Sequence, residues 1–363
     1  MPAAPARAQA FDADAVEAWA RAVLRRSGLR ADDADVVARS LLFADRRGVH
    51  THGVARIPLY VLRLARGGIV AAARPEVTVS TGALTVIDGC GAAGAVTATL
   101  AVEQAAAGAQ RHGAAIALVR GGNDFGAAGY YASLLADAGL VGLAACNTDA
   151  VMGAPGSATP VLGTNPLAIA VPGTSLLLDM ATSAAAHGKI AHAAAEGREV
   201  PEGWGLDAAG RPTTDPGQIL DGGVLQPAAG PKGFGLAFMI DVLAALAGAH
   251  TSPFITSVDG DPGRPQDLGM VFVAISPAWS TEPSAFRASV ANLVRAVHAT
   301  ATAGGQPAMV PGEPEDACRA RLGPQIRLPG PTLAELLEVA RDTTLPFPAA
   351  ADPAPGDSQE EVS

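Results

Sequence analysis

The amino-acid sequence predicts an α/β protein, and three observations carry that expectation. From Val77 onward, short β-type runs alternate with alanine-rich helical stretches, the pattern of a sheet covered by helices. The N-terminal segment is patterned instead as amphipathic helices, and further helices close the chain. With 363 residues, 49% of them hydrophobic, the chain can build one large or two ordinary domains without disulfide staples.

Taken in order, Val16, Trp19, Ala20, Val23 and Leu24 recur at helical spacing, a stripe that Gly28 can terminate. Asp32 or Asp33 is placed to cap a second helix running to about Asp45. Pro58 with Leu59, Leu62 and Leu64 suggests a short third helix closed by Gly67 and Gly68. Strand-like runs follow at residues 84–88, 115–119, 141–146, 167–171 and 176–180, with helices between them at 96–111 and 127–138. Residues 153–166 are too rich in Gly and Pro for a regular element and read as a long binding loop. Beyond lie a helix near 183–196, a turn-rich passage at 201–231, a buried helix at 234–247 and a strand at 270–275. Helices at 284–302 and 332–341 complete the pattern, the last opened by a Thr332–Glu335 capping box. The Pro-, Ala- and acid-rich tail at 349–363 has the composition of disorder.

A formal net charge of −10 argues against nucleic acid or anionic membrane as partners, because both need a basic face. Three cysteines at positions 90, 146 and 318 have neither disulfide nor zinc spacing, which fits a cytoplasmic setting, and no metal site is expected. The N-terminal MPAAPARAQA lacks the apolar core of a signal peptide, and no apolar run reaches eighteen residues.

Four stretches carry chemistry. Residues 46–56, RRGVHTHGVAR, place two imidazoles beside a hydroxyl and the Arg56 guanidinium, with glycines that let the backbone turn. A His50–His52 metal pair has no third ligand at suitable spacing. In residues 121–131, GGNDFGAAGYY, Asp124 either caps the following helix or faces a site at a strand's carboxyl end. In residues 178–190, LDMATSAAAHGKI, Lys189 follows a helix start suited to phosphate, and Lys232 stands between glycines in GPKGFG before the apolar helix. Gly89, Gly91 and Gly94 fit G-x-G-x-x-G, but in a chain with 42 glycines the match is weak, and Arg120 stands where a ribose-binding acid belongs. A turn with close packing explains the motif better.

The segments HTHGVARIPLY, GNDFGAAGYYA, LGTNPLAIAVP, LLDMATSAAAHGKI, PEGWGLDAAGRPTTDP, PKGFGLAFMIDVLA and VPGEPE resemble, in order and spacing, the malate/L-lactate dehydrogenase family of NAD(P)-dependent oxidoreductases. The resemblance spans roughly residues 11–345 and includes ureidoglycolate, sulfolactate and diketogulonate enzymes. It implies a homodimer in which a helical domain, built from residues 10–75 and 225–345, packs on a central mixed-sheet α/β domain of residues 76–224. It further implies non-Rossmann binding of NAD or NADP, which demotes the glycine motif, and a small anionic 2-hydroxy or 2-oxo acid as substrate. His52 matches the family's histidine in its S-H-G signature, and Arg56 its nearby arginine. Thr148, Asp179, Met180, Ala181, Lys232, Gly312, Glu313 and Pro314 match positions that contact the dinucleotide. The sequence departs at Thr51, where serine is usual, and at Asp124, where the family carries its second, proton-accepting histidine.

That departure bears on mechanism, because hydride exchange with a 2-hydroxy acid also moves a hydroxyl proton. His52 suits that task directly, whereas an aspartate with a reference pKa of about 3.9 is a poor donor at pH 7. Asp124 therefore has three readings: a carboxylate base in oxidation, a group that orients and charge-stabilises His52, or the mark of a branch that has lost the usual reaction. A catalytically silent, dinucleotide-binding dimer is the alternative function. Asp241, in the middle of an apolar helix, must be paired or functional.

Overall fold

A computed structural model describes residues 8–351 apart from 301, 303, 304 and 306; residues 352–363 of the acidic tail lie outside the described residues. The first strand, β1 (Gln9–Asp12), leads into α1 (Ala13–Arg26), whose start is capped by the Asp12 carboxylate accepting from the Ala15 N–H at 2.8 Å. The next helix, α2 (Ala31–Arg46), has no side-chain cap. Asp33, one of its expected caps, instead accepts two hydrogen bonds from the Arg30 guanidinium at 2.7 and 2.8 Å. Two 3₁₀ turns, His50–His52 and Val54–Arg56, connect to α3 (Ile57–Arg66), with Pro58 in its first turn and Gly67 closing it at a φ of 91°.

The sheet region follows with β2 (Glu76–Ser80), β3 (Leu84–Asp88), α4 (Gly94–His112), β4 (Ala114–Gly122), α5 (Ala128–Asp137) and β5 (Val141–Cys146). Short β6 (Met152–Gly153) and β7 (Pro160–Leu162) give the expected loop some ladder pairing before β8 (Leu167–Ala170) and β9 (Leu177–Met180). Next come α6 (His187–Glu196), β10 (Gly205–Leu206), β11 (Pro212–Thr213), α7 (Pro216–Leu220), β12 (Val224–Leu225) and α8 (Pro231–Ala245). The chain ends with β13 (Leu268–Ile275), α9 (Pro283–His298), α10 (Glu313–Leu322), β14 (Gln325–Leu328) and α11 (Gly330–Thr343). Because α11 begins at Gly330, Thr332 lies inside it and the expected capping box does not form.

Seven strands form the main sheet in the order β2-β3-β4-β13-β5-β8-β9. Only β3 and β4 run parallel, joined through α4; every other neighbouring pair is antiparallel. The sheet is therefore mixed rather than doubly wound, and the middle strand, β13, comes from the segment grouped by sequence with the helical ends. The glycine motif serves packing. A Cβ on Gly89 would lie 2.6 Å from the Gly121 carbonyl oxygen, and one on Gly94 would strike the Asn123 and Asp124 backbone. Only hydrogen at these positions lets the start of α4 close on the end of β4. Arg120 pairs with Asp88 at 3.0 Å.

The two chain ends meet: β1 pairs antiparallel with β14, and Phe347 sets its ring edge-on against Phe11 and Trp19 at centroid distances of 5.3 and 4.7 Å. A second small sheet has the order β11-β10-β12-β6-β7. Among the described residues no helix is long and apolar enough to cross a membrane.

The apolar helix α8 is not buried as the sequence suggested. Its inner face packs toward β13, but Phe238, Met239, Val242, Leu243 and Leu246 are exposed in the single chain. Its buried carboxylate is partnered: Asp241 accepts from the Asn147 amide at 2.6 Å and from the Ser252 N–H at 3.1 Å. Truncation to alanine would leave both donors buried without an acceptor, each costing about 1–3 kcal/mol. Asp241→Ala should therefore lower stability by about 2–4 kcal/mol in chemical denaturation; a loss under about 0.5 kcal/mol would show that water replaces the carboxylate.

Candidate active site

The site is built where three backbone segments converge. Asp45, buried at the end of α2, accepts from the Val54 N–H at 2.7 Å and contacts His50 Nδ1 at 3.2 Å. A Cβ on Gly53 would collide with that carboxylate, so glycine is what allows the His50–Arg56 turns to fold over it. His50 is thereby committed to Asp45. On the neighbouring residues, Thr51 Oγ1 and His52 Nδ1 share a hydrogen bond of 2.9 Å, and Arg56 Nε donates to the Thr51 carbonyl at 2.9 Å.

The second segment is the end of β4. Buried Asn123 donates to the Gly91 and Ala92 carbonyls at 3.0 Å and accepts from the Gln266 N–H at 3.1 Å. Gln266 Oε1 in turn accepts from the Asp124 N–H at 2.8 Å. Asp124 Oδ1 accepts from the Gly126 N–H at 3.1 Å, and α5 begins beyond it with Ala127 at its N-cap, so Asp124 does not cap that helix. Its Oδ2 is buried and lies 3.8 Å from Arg56 Nε, and the Tyr60 hydroxyl also acts on the carboxylate as a donor.

The electrostatics follow from this enclosure. Burial, then the charge of Arg56, pushes the His52 imidazole down to about 4, with Asp124 opposing. Burial also penalises the Asp124 carboxylate, but the Arg56 charge first, with His52 and hydrogen bonds from the Gly126 N–H and the Tyr60 hydroxyl, holds its pKa below the ordinary range. Burial raises the Tyr60 hydroxyl well above its usual pKa, with the Asp124 charge acting in the same direction. The Arg56 charge is felt by two further carboxylates, Asp149 and Asp259. Asp149 is raised mainly by burial, against a hydrogen bond from Ser257. Sequence reasoning passed over Asp45, Tyr60, Asp149, Ser257, Asp259 and Gln266. Tyr60 closes the quoted segment HTHGVARIPLY and Asp149 follows the candidate Thr148, whereas Gln266 gave no local signal.

The expected dinucleotide contacts lie along a connected rim. Thr148 accepts from the Thr164 N–H at 3.0 Å, the Thr164 carbonyl accepts from the Thr182 N–H at 2.9 Å, and the Thr182 carbonyl accepts from the Ala228 N–H at 2.9 Å. This ladder joins Thr148 to the strand end at Asp179, Met180 and Ala181 and to the start of α8 at Lys232. Asp179 accepts from the Gly129 N–H at 2.9 Å. The Leu177 N–H donates to the Pro311 carbonyl at 3.2 Å, and Arg47 pairs with Asp316 at 2.6 Å, which brings Gly312, Glu313 and Pro314 against the same strand. The Glu313 carboxylate is occupied locally by the Val310 N–H at 2.8 Å and by His298 at 2.9 Å. α6 begins at His187 rather than near Ser183, which moves Lys189 into its first turn, and a Cβ on Gly188 would lie 2.8 Å from Thr51. Among the described residues no group of three or more His, Cys, Asp or Glu side chains is arranged to hold a metal ion.

Comparison with known proteins places the whole chain in a family. The family model described as malate/L-lactate dehydrogenase matches residues 11–337. The L-sulfolactate dehydrogenase of Methanocaldococcus jannaschii is 36% identical over 298 residues, covering 81% of this chain and 86% of the relative. The ureidoglycolate dehydrogenase (NAD(+)) of Escherichia coli O157:H7 is 34% identical over 298 residues, covering 81% and 84%. The solved structure of the Methanocaldococcus jannaschii sulfolactate dehydrogenase superposes with a TM-score of 0.86 at 31% identity, covering 93% of this chain and 98% of that one. A mixed sheet, an enclosed His52–Arg56–Asp124 cluster and matches across most of the chain lead to one assignment: the protein belongs to the malate/L-lactate dehydrogenase family of oxidoreductases.

Proposed function

We propose that the chain transfers a hydride between NAD or NADP and a small 2-hydroxy or 2-oxo acid, with His52, Arg56 and Asp124 at the reacting centre. The observation that carries this reading is the enclosure of an imidazole, a guanidinium and a carboxylate in one cluster at the end of β4. The residues fit a dinucleotide: exposed Lys232 in the first turn of α8 offers a cation to phosphate, and Asp179 offers acceptors to a ribose hydroxyl. When bound, the nicotinamide supplies or accepts the hydride. Arg56 holds the substrate carboxylate through N–H groups other than the Nε donated to Thr51. His52, neutral at pH 7, takes the hydroxyl proton in oxidation, and Thr51 orients its ring. Asp124, held ionised and too weakly basic to compete, offsets the Arg56 charge beside His52, which supports the orienting and charge-stabilising reading over that of a base.

A homodimer is part of the proposal. The exposed apolar side chains of α8 and Leu246 form a hydrophobic surface of the kind that association covers. Sedimentation should give a dimer, and Phe238→Glu should yield monomers; a wild-type monomer at micromolar concentration would remove the dimer from the proposal.

Turnover is tested by nicotinamide absorbance with malate, lactate, sulfolactate and ureidoglycolate. His52→Gln should lower kcat by about 10²-fold or more, and Arg56→Lys should raise KM by about tenfold or more. Tight cofactor binding without turnover on a wide panel would favour the silent dimer.

The His52 titration is a separate check. Its pKa of about 4 lies below the value near 6.5 expected for an unfolded chain, so the unfolded state binds the proton more readily. Stability should therefore fall as pH drops from 6.5 through 4, and His52→Gln should flatten that dependence. By NMR, Arg56→Gln should raise the His52 midpoint and Asp124→Asn should lower it. A midpoint near 6.5 that ignores both changes would refute the electrostatic account.

A further inference from the structure

The wall around Arg56 carries more negative charge than the arginine can balance once it holds a substrate carboxylate. We infer that Asp149 and Asp259 are specificity-determining residues that exclude a second anionic group. The substrate is then a 2-hydroxy or 2-oxo acid with one negative charge and an uncharged, hydrogen-bond-donating far end, not a dicarboxylate or a sulfonate. The inference rests on the oxidoreductase reading above.

The first observation is a wall that is held in place. Residues 256–266, TSVDGDPGRPQ, connect the Ser252–Phe254 turn to β13 and are tied to α3. Buried Arg63 donates to the Arg264 carbonyl at 2.6 Å and to the Val258 carbonyl at 3.3 Å. The Gly68 N–H donates to the Pro262 carbonyl at 3.1 Å, and a Cβ on Gly68 would lie 2.3 Å from that oxygen. Gln266 fixes the far end of the segment on Asn123 and on the Asp124 N–H. With both terminal nitrogens engaged by carbonyls, Arg63 holds the wall rather than a ligand.

The second observation is the sign of the charges gathered there. Asp259 acts on both Arg56 and Arg63, Asp261 acts on Arg63, and Asp149 acts on Arg56 from the segment after β5. Together with Asp124, four carboxylates face these two guanidinium groups, beside a His52 that is neutral at pH 7. The one cation of the 256–266 segment, Arg264, is exposed, and His187 acts on Asp149 from the start of α6. The Ser257 hydroxyl donates to the Asp149 carboxylate and joins it to the wall. Burial, with the Asp259 charge acting in the same direction, already raises Asp149 against that hydrogen bond. A second anion beside it adds to an existing penalty.

Arg56 attracts the first carboxylate of a substrate, and that contact matches its charge. A second carboxylate then meets repulsion from Asp149 and Asp259, whereas an amide or hydroxyl offers N–H or O–H donors to the same acceptors. Charge thus discriminates between far ends of equal size.

The test uses ligands that match in shape and differ in charge. Malate and its 4-amide, taken as matched enantiomers, differ only in a carboxylate against a carboxamide, and with the full chain saturated by NADH or NADPH neither can be oxidised. By calorimetry the amide should bind at least about tenfold tighter, and raising ionic strength from about 0.01 to about 0.5 M should shrink that ratio. Asp149→Asn, which can keep the Ser257 hydrogen bond, and Asp259→Asn should each narrow it, and Asp259→Lys should invert it. Equal binding of amide and malate, or tighter binding of malate, overturns the proposal. Variants that weaken both ligands equally overturn the assignment to these two residues. In turnover, 2-oxosuccinamate should reoxidise the reduced dinucleotide with a kcat/KM at least about tenfold above that of oxaloacetate. Faster turnover of oxaloacetate refutes the inference and leaves the oxidoreductase reading standing. No reoxidation by either compound or by pyruvate, despite tight cofactor binding, removes both.

Discussion

The crowding of half-buried Arg56, Asp124 and His52 into one cluster is the constraint on which the rest of the site depends. Removing a guanidinium and a carboxylate from water costs several kcal/mol per ion unless each finds the other and enough hydrogen bonds. The surrounding polar contacts meet that requirement: the Thr51 carbonyl takes Arg56 Nε, the Gly126 N–H reaches one Asp124 oxygen, and Gln266 anchors the Asp124 backbone. The Tyr60 hydroxyl adds a further donor to the Asp124 carboxylate. Asp241 is the contrast, a carboxylate with every nearby donor directed at it and no group left for a ligand.

Two levels of support hold the cluster. Asp45 lies beneath the histidine turn and ties it to α2, which requires that Gly53 carry no side chain. Asn123 joins the glycine-rich turn before α4 to the segment entering β13, so the strand end bearing Asp124 is fixed from both sides. The glycines of the apparent dinucleotide fingerprint belong to this second level. They bring α4 onto the β4 terminus and act on the active site through backbone approach rather than through phosphate.

The central place of β13 explains why the chain's last third matters to chemistry carried by its first third. Strand β13 lies between β4 and β5, and the residues just before it, Gln266 and Asp267, bond to the β4 end through the Asp124 and Gly121 N–H groups. A site on one strand end is thus completed by a neighbour more than a hundred residues away in sequence.

Local chemistry alone indicated much of this. Period-2 and helical repeats located the strands at 84–88, 141–146 and 270–275 and the helices around them, because those signals depend on adjacent residues. Residues 46–56 drew notice because two imidazoles, a hydroxyl and a guanidinium rarely share one turn without a use, and the family resemblance singled out His52 from His50. What sequence could not decide was anything set by distant neighbours. The starts of α2, α6 and α11 lie at Ala31, His187 and Gly330 rather than beside the nearest Asp, Ser or Thr. The apolar helix α8 looked buried because composition does not say whether both of its faces are covered within one chain. Asp124 had three open readings from its residue type alone. Only the fold, by placing Arg56, His52, Tyr60 and Gln266 around it, holds its carboxyl below the ordinary pKa range, because burial and charge proximity are properties of tertiary structure.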